Sequence, residues 1–261
     1  MDPFPHVVVH DALPQDICDK LMATFPSAED QGINSKLNNV RWSTKARDIG
    51  QVRGLHEIWK AIIHFHTSNV FLDQFFHVFG DALLQLYPQR FPTKLSMNAV
   101  SASVRDLSSL SKTGLSLDAQ ISGNTPVITA SAPRGIHVDA PNALYGGLYY
   151  LRHPADDSVG GDLQLWKWKD DYDFSKKSGE YREGVLPRHV NLVKTIPYQS
   201  NTLVFFLNSL DSLHSVTERQ PTVHTRRFIN LLADSSMPFF QLKPSPQLRL
   251  RNYVKRKLIS P

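Results

Sequence analysis

The most informative segment of this chain is Arg134-Gly-Ile-His137-Val-Asp139-Ala-Pro-Asn-Ala-Leu-Tyr-Gly-Gly-Leu-Tyr149-Tyr150-Leu. In an extended strand alternate side chains lie on the same face, so His137 and Asp139 point in the same direction. An imidazole and a carboxylate that converge on one point supply two of the three ligands of a two-His-one-carboxylate metal site. A His-x-Asp triplet is short enough to arise by chance, so the rest of the chain has to supply the context.

A third candidate ligand follows about 75 residues later. The residues from Asn201 to Leu207 predict an apolar strand, a short polar turn comes next, and His214 follows the turn. Another predicted strand then opens with two adjacent arginines, Arg226 and Arg227. The order of His-x-Asp, a long gap, a distal histidine and a basic residue that opens a strand is much more specific than any one of these parts.

In this order of motifs the sequence resembles the Fe(II)/2-oxoglutarate-dependent dioxygenases, and within them the prolyl-4-hydroxylase-like group. The matching segments run from about residue 95 to about residue 234. The resemblance implies that His137, Asp139 and His214 are catalytic ligands of Fe(II), and that an arginine binds 2-oxoglutarate. It also implies that O2 is a cosubstrate, that ascorbate activates the enzyme, and that succinate and CO2 are released.

The choice between the two arginines depends on which face of their strand points into the barrel. Arg227 shares a face with Ile229 and Leu231, whereas Arg226 shares the other face with an aromatic residue and with Asn230. The first face is the more apolar, which predicts that it lines the barrel interior. In relatives the basic residue is usually followed by an aromatic residue, as Arg227 is. We therefore expect Arg227 to bind 2-oxoglutarate, with Arg226 as the alternative.

Three further residues are candidates for the cosubstrate pocket. The small and apolar residues from Lys94 to Arg105 predict an interior strand, and relatives often place pocket residues on the strand before His-x-Asp, which makes Asn98 a candidate. One of the neighbours Tyr149 and Tyr150 must face inward, where its hydroxyl could contact 2-oxoglutarate; a structural tyrosine is the alternative. Residues 107–133 predict a loop, either a lid or a substrate loop.

The predicted elements define an α+β protein that is mainly β. Helices are predicted from Asp11 to Phe25 and, in two pieces separated at Ser68, from Leu55 to Tyr87. The resemblance implies a double-stranded β-helix (a jelly roll, cupin-like) with these N-terminal helices as its support. We expect a single jelly-roll oxygenase domain over residues 1–242, with helical support at about 11–88 and core strands at about 94–234, followed by a basic C-terminal arm at 243–261.

The charge of the chain is concentrated in that arm. The formal net charge is +5, and six basic residues lie in the arm, without which the remainder would carry −1. These six residues are Lys243, Arg249, Arg251, Lys255, Arg256 and Lys257. A solvated helix or flexible arm is the common origin of such a run. Nucleic acid is therefore not expected as a partner, and a homodimer contact through the arm is compatible with the pattern.

Cysteine usage and hydropathy bear on the compartment. One cysteine, Cys18, cannot form an internal disulfide and fits a reducing compartment. No basic segment followed by an apolar core begins the chain, and no run approaches 18 apolar residues. We therefore expect a cytoplasmic protein without a membrane partner.

The substrate is not encoded by any motif in the sequence. No peptide-binding repeat or nucleic-acid surface is visible, which favours a small-molecule or amino-acid-derived substrate oxidised at an unactivated C–H bond by hydroxylation, desaturation or cyclisation. Peptidyl hydroxylation of the prolyl type is the alternative within the family. A non-catalytic cupin-like binding module, or a hydrolytic zinc site on the same three residues, stands as an alternative outside it.

Overall fold

The structure is a computed structural model that describes residues 2–106, 114–172 and 184–241. The predicted arm at 243–261, and with it the predicted homodimer contact, lies outside these residues, so the domain boundaries stay predictions. Within the described ranges no helix is long and apolar enough to cross a membrane.

In the described part of the chain four α-helices precede most of the sheet. They are α1 (Gln15–Ala23), α2 (Glu57–His66), α3 (Asn69–Leu86) and α4 (Lys94–Met97). The break between α2 and α3 falls at Ser68, whose Oγ accepts a hydrogen bond from the backbone N–H of Phe71 (3.2 Å), as the sequence predicted. Leu72, Phe75 and Leu83 recur at helical spacing on α3 and are buried against the sheet.

The described strands form two sheets. The strands are β1 (His6–His10), β2 (Arg41–Thr44), β3 (Ala102–Val104), β4 (Leu115–Asn124), β5 (Ala143–Tyr150), β6 (Leu163–Trp168), β7 (Val190–Ile196), β8 (Thr202–Leu207), β9 (His214–Val216) and β10 (Arg226–Asp234). In the larger sheet the order is β1, β8, β5, β10, β4, β2, with β3 beside β4, and the smaller sheet has the order β7, β6, β9. The pairs are antiparallel except β3 with β4.

The two faces of the larger sheet contact different partners. One face packs its apolar side chains, such as Leu117, Tyr145 and Leu231, against the helices. The other face contributes residues such as Phe206 and Phe228 to a second core that it shares with the smaller sheet. Two sheets with a core between them and helices on the outer face form the predicted jelly roll with N-terminal helical support, so the fold prediction is confirmed.

Two local predictions are wrong. The predicted interior strand from Lys94 to Arg105 begins as the short helix α4, because Thr93 and Ser96 form a capping box, and only Ala102–Val104 is extended. The predicted loop at 107–133 contains β4, which lies between β10 and β2; residues 107–113 are outside the described part. Its polar side chains alternate with apolar ones because one face meets the helices and the other meets the barrel interior.

Candidate metal and cosubstrate site

Three of the predicted site residues meet at one point between the two sheets. His137 and His214 lie opposite each other in an antiparallel bridge, in which each backbone N–H donates to the carbonyl of the other residue at 3.0 Å. Their ring centroids are 4.2 Å apart, and Asp139 reaches the same point two residues after His137. The nearest ligand atoms of the three residues all lie within 4.8 Å of one another.

Both imidazoles present the same ring nitrogen to this point. Nδ1 of His137 donates to the carbonyl of Gly135 (2.7 Å), and Nδ1 of His214 donates to the carbonyl of Ser212 (2.9 Å). Because a carbonyl can only accept, these bonds place the proton on Nδ1 and leave the lone pair on Nε2. Each Nε2 lies 3.7 Å from a carboxylate oxygen of Asp139.

The electrostatics of the cluster favour the protonation states that bind a cation. Burial and the neighbouring His214 lower the pKa of His137 to about 3. Burial alone would raise the pKa of Asp139, but the two histidines together with Arg134 and Arg41 lower it below its ordinary value. A neutral imidazole and a charged carboxylate are the forms that coordinate metals. Within the described ranges no other group of three such residues could hold a metal ion.

The cluster opens onto a cavity of about 530 Å³ that is lined by the inner face of the larger sheet. Arg226 lies on the wall of this cavity and is only 2% exposed. Its Nε donates to the carbonyl of Gly161 (2.9 Å), and one terminal nitrogen donates to the hydroxyl of Tyr150 (3.2 Å). The guanidinium carbon lies 4.8 Å from the ring centroid of Phe228. A buried cationic side chain thus lies on the wall of the same cavity that His137, Asp139 and His214 line.

The prediction that Arg227 faces the interior is wrong. Its guanidinium contacts the carbonyl of Met22 (3.4 Å) and the ring of Phe25, on the helix side of the sheet. The more apolar face of β10 is the one that packs against the helices, whereas the face that carries Arg226 lines the cavity. Apolar character therefore marks the face of β10 that packs against the helices and not the face that lines the cavity.

Two other candidates lie away from the cavity. Tyr149 is on the helix side, where its hydroxyl donates to Oδ1 of Asn201 (2.7 Å), so Tyr150 is the inward-facing member of the pair. Asn98 is the exposed C-terminal cap of α4 and does not line the cavity, because the predicted strand that carried it is a helix. His224, which follows His214 in the chain by ten residues, lies 3.7 Å from Asp157 and outside the cluster.

The structure adds polar residues that the sequence analysis did not select. Arg41 on β2 lines the cavity, with its guanidinium carbon 5.3 Å from the ring centroid of Phe228. Gln120, Asn124 and Asn230 line the same wall. The alternation of polar and apolar residues in β4 carried the signal for Gln120 and Asn124, whereas no pattern around Arg41 distinguished it.

An ionic cluster forms another part of the wall. Arg105 binds Asp234 (2.6 Å) and lies 3.7 Å from Asp118. Asp118 also accepts hydrogen bonds from the backbone N–H of Ala46 (2.9 Å) and from Gln120 (2.7 Å). The positive charge of Arg105 is therefore matched by acids within this part of the wall.

Several solved structures align with this chain over nearly its whole length. A protein of Shewanella oneidensis described as a “putative oxygenase” has a TM-score of 0.51 at 12% identity, and the match covers 97% of this chain and 88% of that one. A prolyl-4-hydroxylase from Pseudomonas putida has a TM-score of 0.48 at 14% identity, covering 90% and 95%. A prolyl hydroxylase of Trichoplax adhaerens, in complex with a peptide fragment of hypoxia inducible factor, has 0.46 at 15% identity, covering 100% and 89%.

The likeness to the Shewanella protein supports the jelly-roll fold of this chain. No protein-family model matches the sequence, and no curated protein matches it.

Proposed function

We propose that the chain is an Fe(II)- and 2-oxoglutarate-dependent dioxygenase that oxidises an unactivated C–H bond of a small-molecule or amino-acid-derived substrate. The observation that supports this most is that the cavity lined by His137, Asp139 and His214 also has the buried cation Arg226 on its wall. A set of metal ligands and an anion-binding group in one cavity are what the binding of a metal-chelating dicarboxylate requires.

The donor set fits a labile divalent iron. His137, Asp139 and His214 would hold the metal through two Nε2 atoms and one carboxylate, which leaves coordination positions open toward the cavity. When bound, Fe(II) supplies the activation of dioxygen, coupled to decarboxylation of 2-oxoglutarate to succinate and CO2. The carbonyls of Gly135 and Ser212 hold the two rings in place, so the ligands are oriented before a metal arrives.

Arg226 would bind the distal carboxylate of 2-oxoglutarate. A guanidinium can pair both carboxylate oxygens, and burial makes this pairing stronger than it would be in water. Gly161 and Tyr150 fix its orientation by accepting from two of its nitrogens. Gly161 also lets the chain come close to Arg226, since a Cβ there would lie 3.1 Å from its Cδ and Nε.

The apolar part of the wall would limit the access of water to the metal. Leu148, Leu163, Phe206 and Val216 line the cavity with His214, and the Phe206 ring centroid lies 4.6 Å from that of His214. Because these side chains cannot hydrogen-bond, they offer no binding site for water in the part of the cavity next to His214.

An anaerobic titration tests this proposal without knowledge of the substrate. Protein loaded with Fe(II) is titrated with 2-oxoglutarate, and the visible charge-transfer absorption of the iron–keto-acid chelate is recorded. We expect the absorption in the natural protein and its loss in His137→Ala and His214→Ala, because two ligands hold a divalent ion poorly. Succinate formation after admission of air is the second readout.

Two results would contradict the proposal. If calorimetry shows unchanged Fe(II) affinity in both histidine variants, the metal ligands are wrongly assigned. If Fe(II) binds but no chelate absorption appears at any 2-oxoglutarate concentration, the fold serves as a metal-binding module of the cupin kind.

A further inference from the structure

Arg41 differs from the other arginines of the cavity in its surroundings. It is exposed to the cavity, and within the described part of the chain no carboxylate forms an ion pair or hydrogen bond with its guanidinium. Arg226, by contrast, is buried and hydrogen-bonded, Arg105 is bound to Asp234, and Arg134 lies 3.4 Å from Asp139. With Arg226 assigned to 2-oxoglutarate, Arg41 is therefore the guanidinium of the cavity that remains for a second ligand.

Its place on the sheet puts Arg41 near both halves of the candidate site. On β2 it lies opposite Asn124 of β4, and Asn124 lies opposite Arg226 of β10. Arg41 and Arg226 both lie over the ring of Phe228, at 5.3 and 4.8 Å from its centroid. Although Arg41 is open to the cavity, the protein atoms around it displace part of its hydration, and this desolvation, together with the charge of Arg226, lowers the pKa of Arg41 to about 10, while Asp139 opposes the shift. The guanidinium is thus charged at neutral pH, within the field of the candidate metal ligands.

The charges of the cavity do not balance without an anion. Among the described residues its wall carries four arginines and two aspartates. Asp118, which contacts Arg105, removes one further positive charge, so the wall remains positive. Iron as Fe²⁺ and 2-oxoglutarate as a dianion would cancel each other, and the distal carboxylate of 2-oxoglutarate occupies only one arginine. A second anion in the cavity would neutralise what remains.

Resting on the function proposed above, we propose that the primary substrate is a small carboxylic acid whose carboxylate binds Arg41. Arg41 would then hold the substrate beside the metal from the wall of β2. Asn124, which lies opposite Arg41 in the sheet, also lines the cavity, and its side-chain amide would be a hydrogen-bond partner for the rest of the ligand. Arg226 and Arg41 would divide the two anions between them, the buried arginine taking the cosubstrate.

The experiment uses full-length protein loaded with Zn(II), which accepts the same donors and carries out no redox chemistry. With 2-oxoglutarate at saturation, a library of small monocarboxylic acids, each paired with its primary amide, is screened by saturation-transfer NMR at pH 7. We expect acids to bind and their amides to fail. Arg41→Gln should lower the affinity of the protein for the best-binding acids at least tenfold, since a charge-assisted hydrogen bond is lost.

Two arginine variants serve as matched controls. Arg47→Gln removes an exposed arginine outside the cavity, which pairs with Asp48 and Asp106, and should leave the binding of acids unchanged. Arg226→Gln should weaken the binding of 2-oxoglutarate. Arg41→Gln should leave the dissociation constant of 2-oxoglutarate within about twofold of its value in the natural protein.

The outcomes separate this inference from the proposed function. If the Zn(II)-loaded protein fails to bind 2-oxoglutarate, the proposed function fails and the inference fails with it. If 2-oxoglutarate binds, the inference alone is overturned by an empty acid screen, by amides that bind as well as acids, or by acids that Arg41→Gln does not weaken. Loss of 2-oxoglutarate binding in Arg41→Gln would assign Arg41 to the cosubstrate and overturn it as well.

Discussion

The two faces of the larger sheet share one backbone and have opposite characters. Toward the helices β4 presents Leu117, Ala119 and Ile121, all of them fully buried. Toward the cavity the same strand presents Gln120 and Asn124 among other polar residues. Among the described residues the largest hydrophobic core therefore lies between the sheet and the helices, outside the barrel, and the interior is left for polar side chains.

Residues on opposite faces of the same strand make this difference testable, because they belong to one strand and point in opposite directions. The largest expected effect concerns the neighbouring arginines. Arg226→Leu should weaken 2-oxoglutarate binding by about 3–5 kcal/mol, as expected when one partner of a buried charge pair is removed. Arg227→Leu, on the helix side, should change this affinity by no more than about twofold. Calorimetry of the metal-loaded protein measures both values, and the reverse order would mean that the cavity face is wrongly assigned.

The second pair compares stability. Leu117→Ala removes a fully buried side chain from the helix-facing core, and we expect it to lower the free energy of unfolding by about 2–5 kcal/mol. Ser122→Ala, on the inner face of the same strand, loses a hydrogen bond to Ser43 (2.7 Å) and should cost about 1 kcal/mol. Urea denaturation gives both numbers. Equal losses would show that the inner face contributes as much to the core as the outer one.

The tyrosine pair separates binding from folding. Tyr150→Phe deletes the hydroxyl that accepts from Arg226, and 2-oxoglutarate affinity should fall about tenfold because a hydrogen bond to a charged group is lost. Tyr149→Phe deletes a hydrogen bond to Asn201 and should cost about 1 kcal/mol of stability without change in that affinity. A binding defect in Tyr149→Phe would argue against the division between the faces.

The smallest effect is a pH dependence on the helix side. Burial lowers the pKa of His66 on α2 below its ordinary value of 6.5. The unfolded chain therefore binds more protons than the folded one near and below pH 6.5, so His66 contributes stability above that pH, which is lost as the pH falls toward the folded pKa. The fall in the free energy of unfolding from pH 7.5 to 5.5 should be smaller in His66→Gln by less than about 1 kcal/mol. An identical fall would contradict the shift.

The sequence was sufficient for features that depend on strand alternation within one segment. His137 and Asp139 share a face because they are two residues apart, and the structure brings them to His214 as predicted. The helices α2 and α3 also followed from their spacing and from the cap at Ser68. These features are encoded locally, so they could be predicted without knowledge of the partner elements.

What could not be predicted depends on which layer an element meets. Apolarity predicts the wrong face of β10 for the cavity, because the apolar face packs against the helices. The sequence predicts a loop where β4 lies, since the polar residues of β4 face a cavity that exists only once both sheets are assembled. Arg41 lies on β2, about a hundred residues before His137, and reaches this cavity because β2 pairs with β4. No local sequence pattern predicts that pairing.

The bridge between His137 and His214 has a consequence for how the protein would acquire its metal. The backbones of His137 and His214 are hydrogen-bonded to each other. Folding alone therefore already brings these two ligands together and closes the chain segment between them. Metal binding would therefore cost little further conformational entropy of the chain, and most of the free energy of coordination would remain as binding affinity. Iron could accordingly leave and return at a folded protein, with exchange governed by ligand lability and access through the cavity instead of by unfolding.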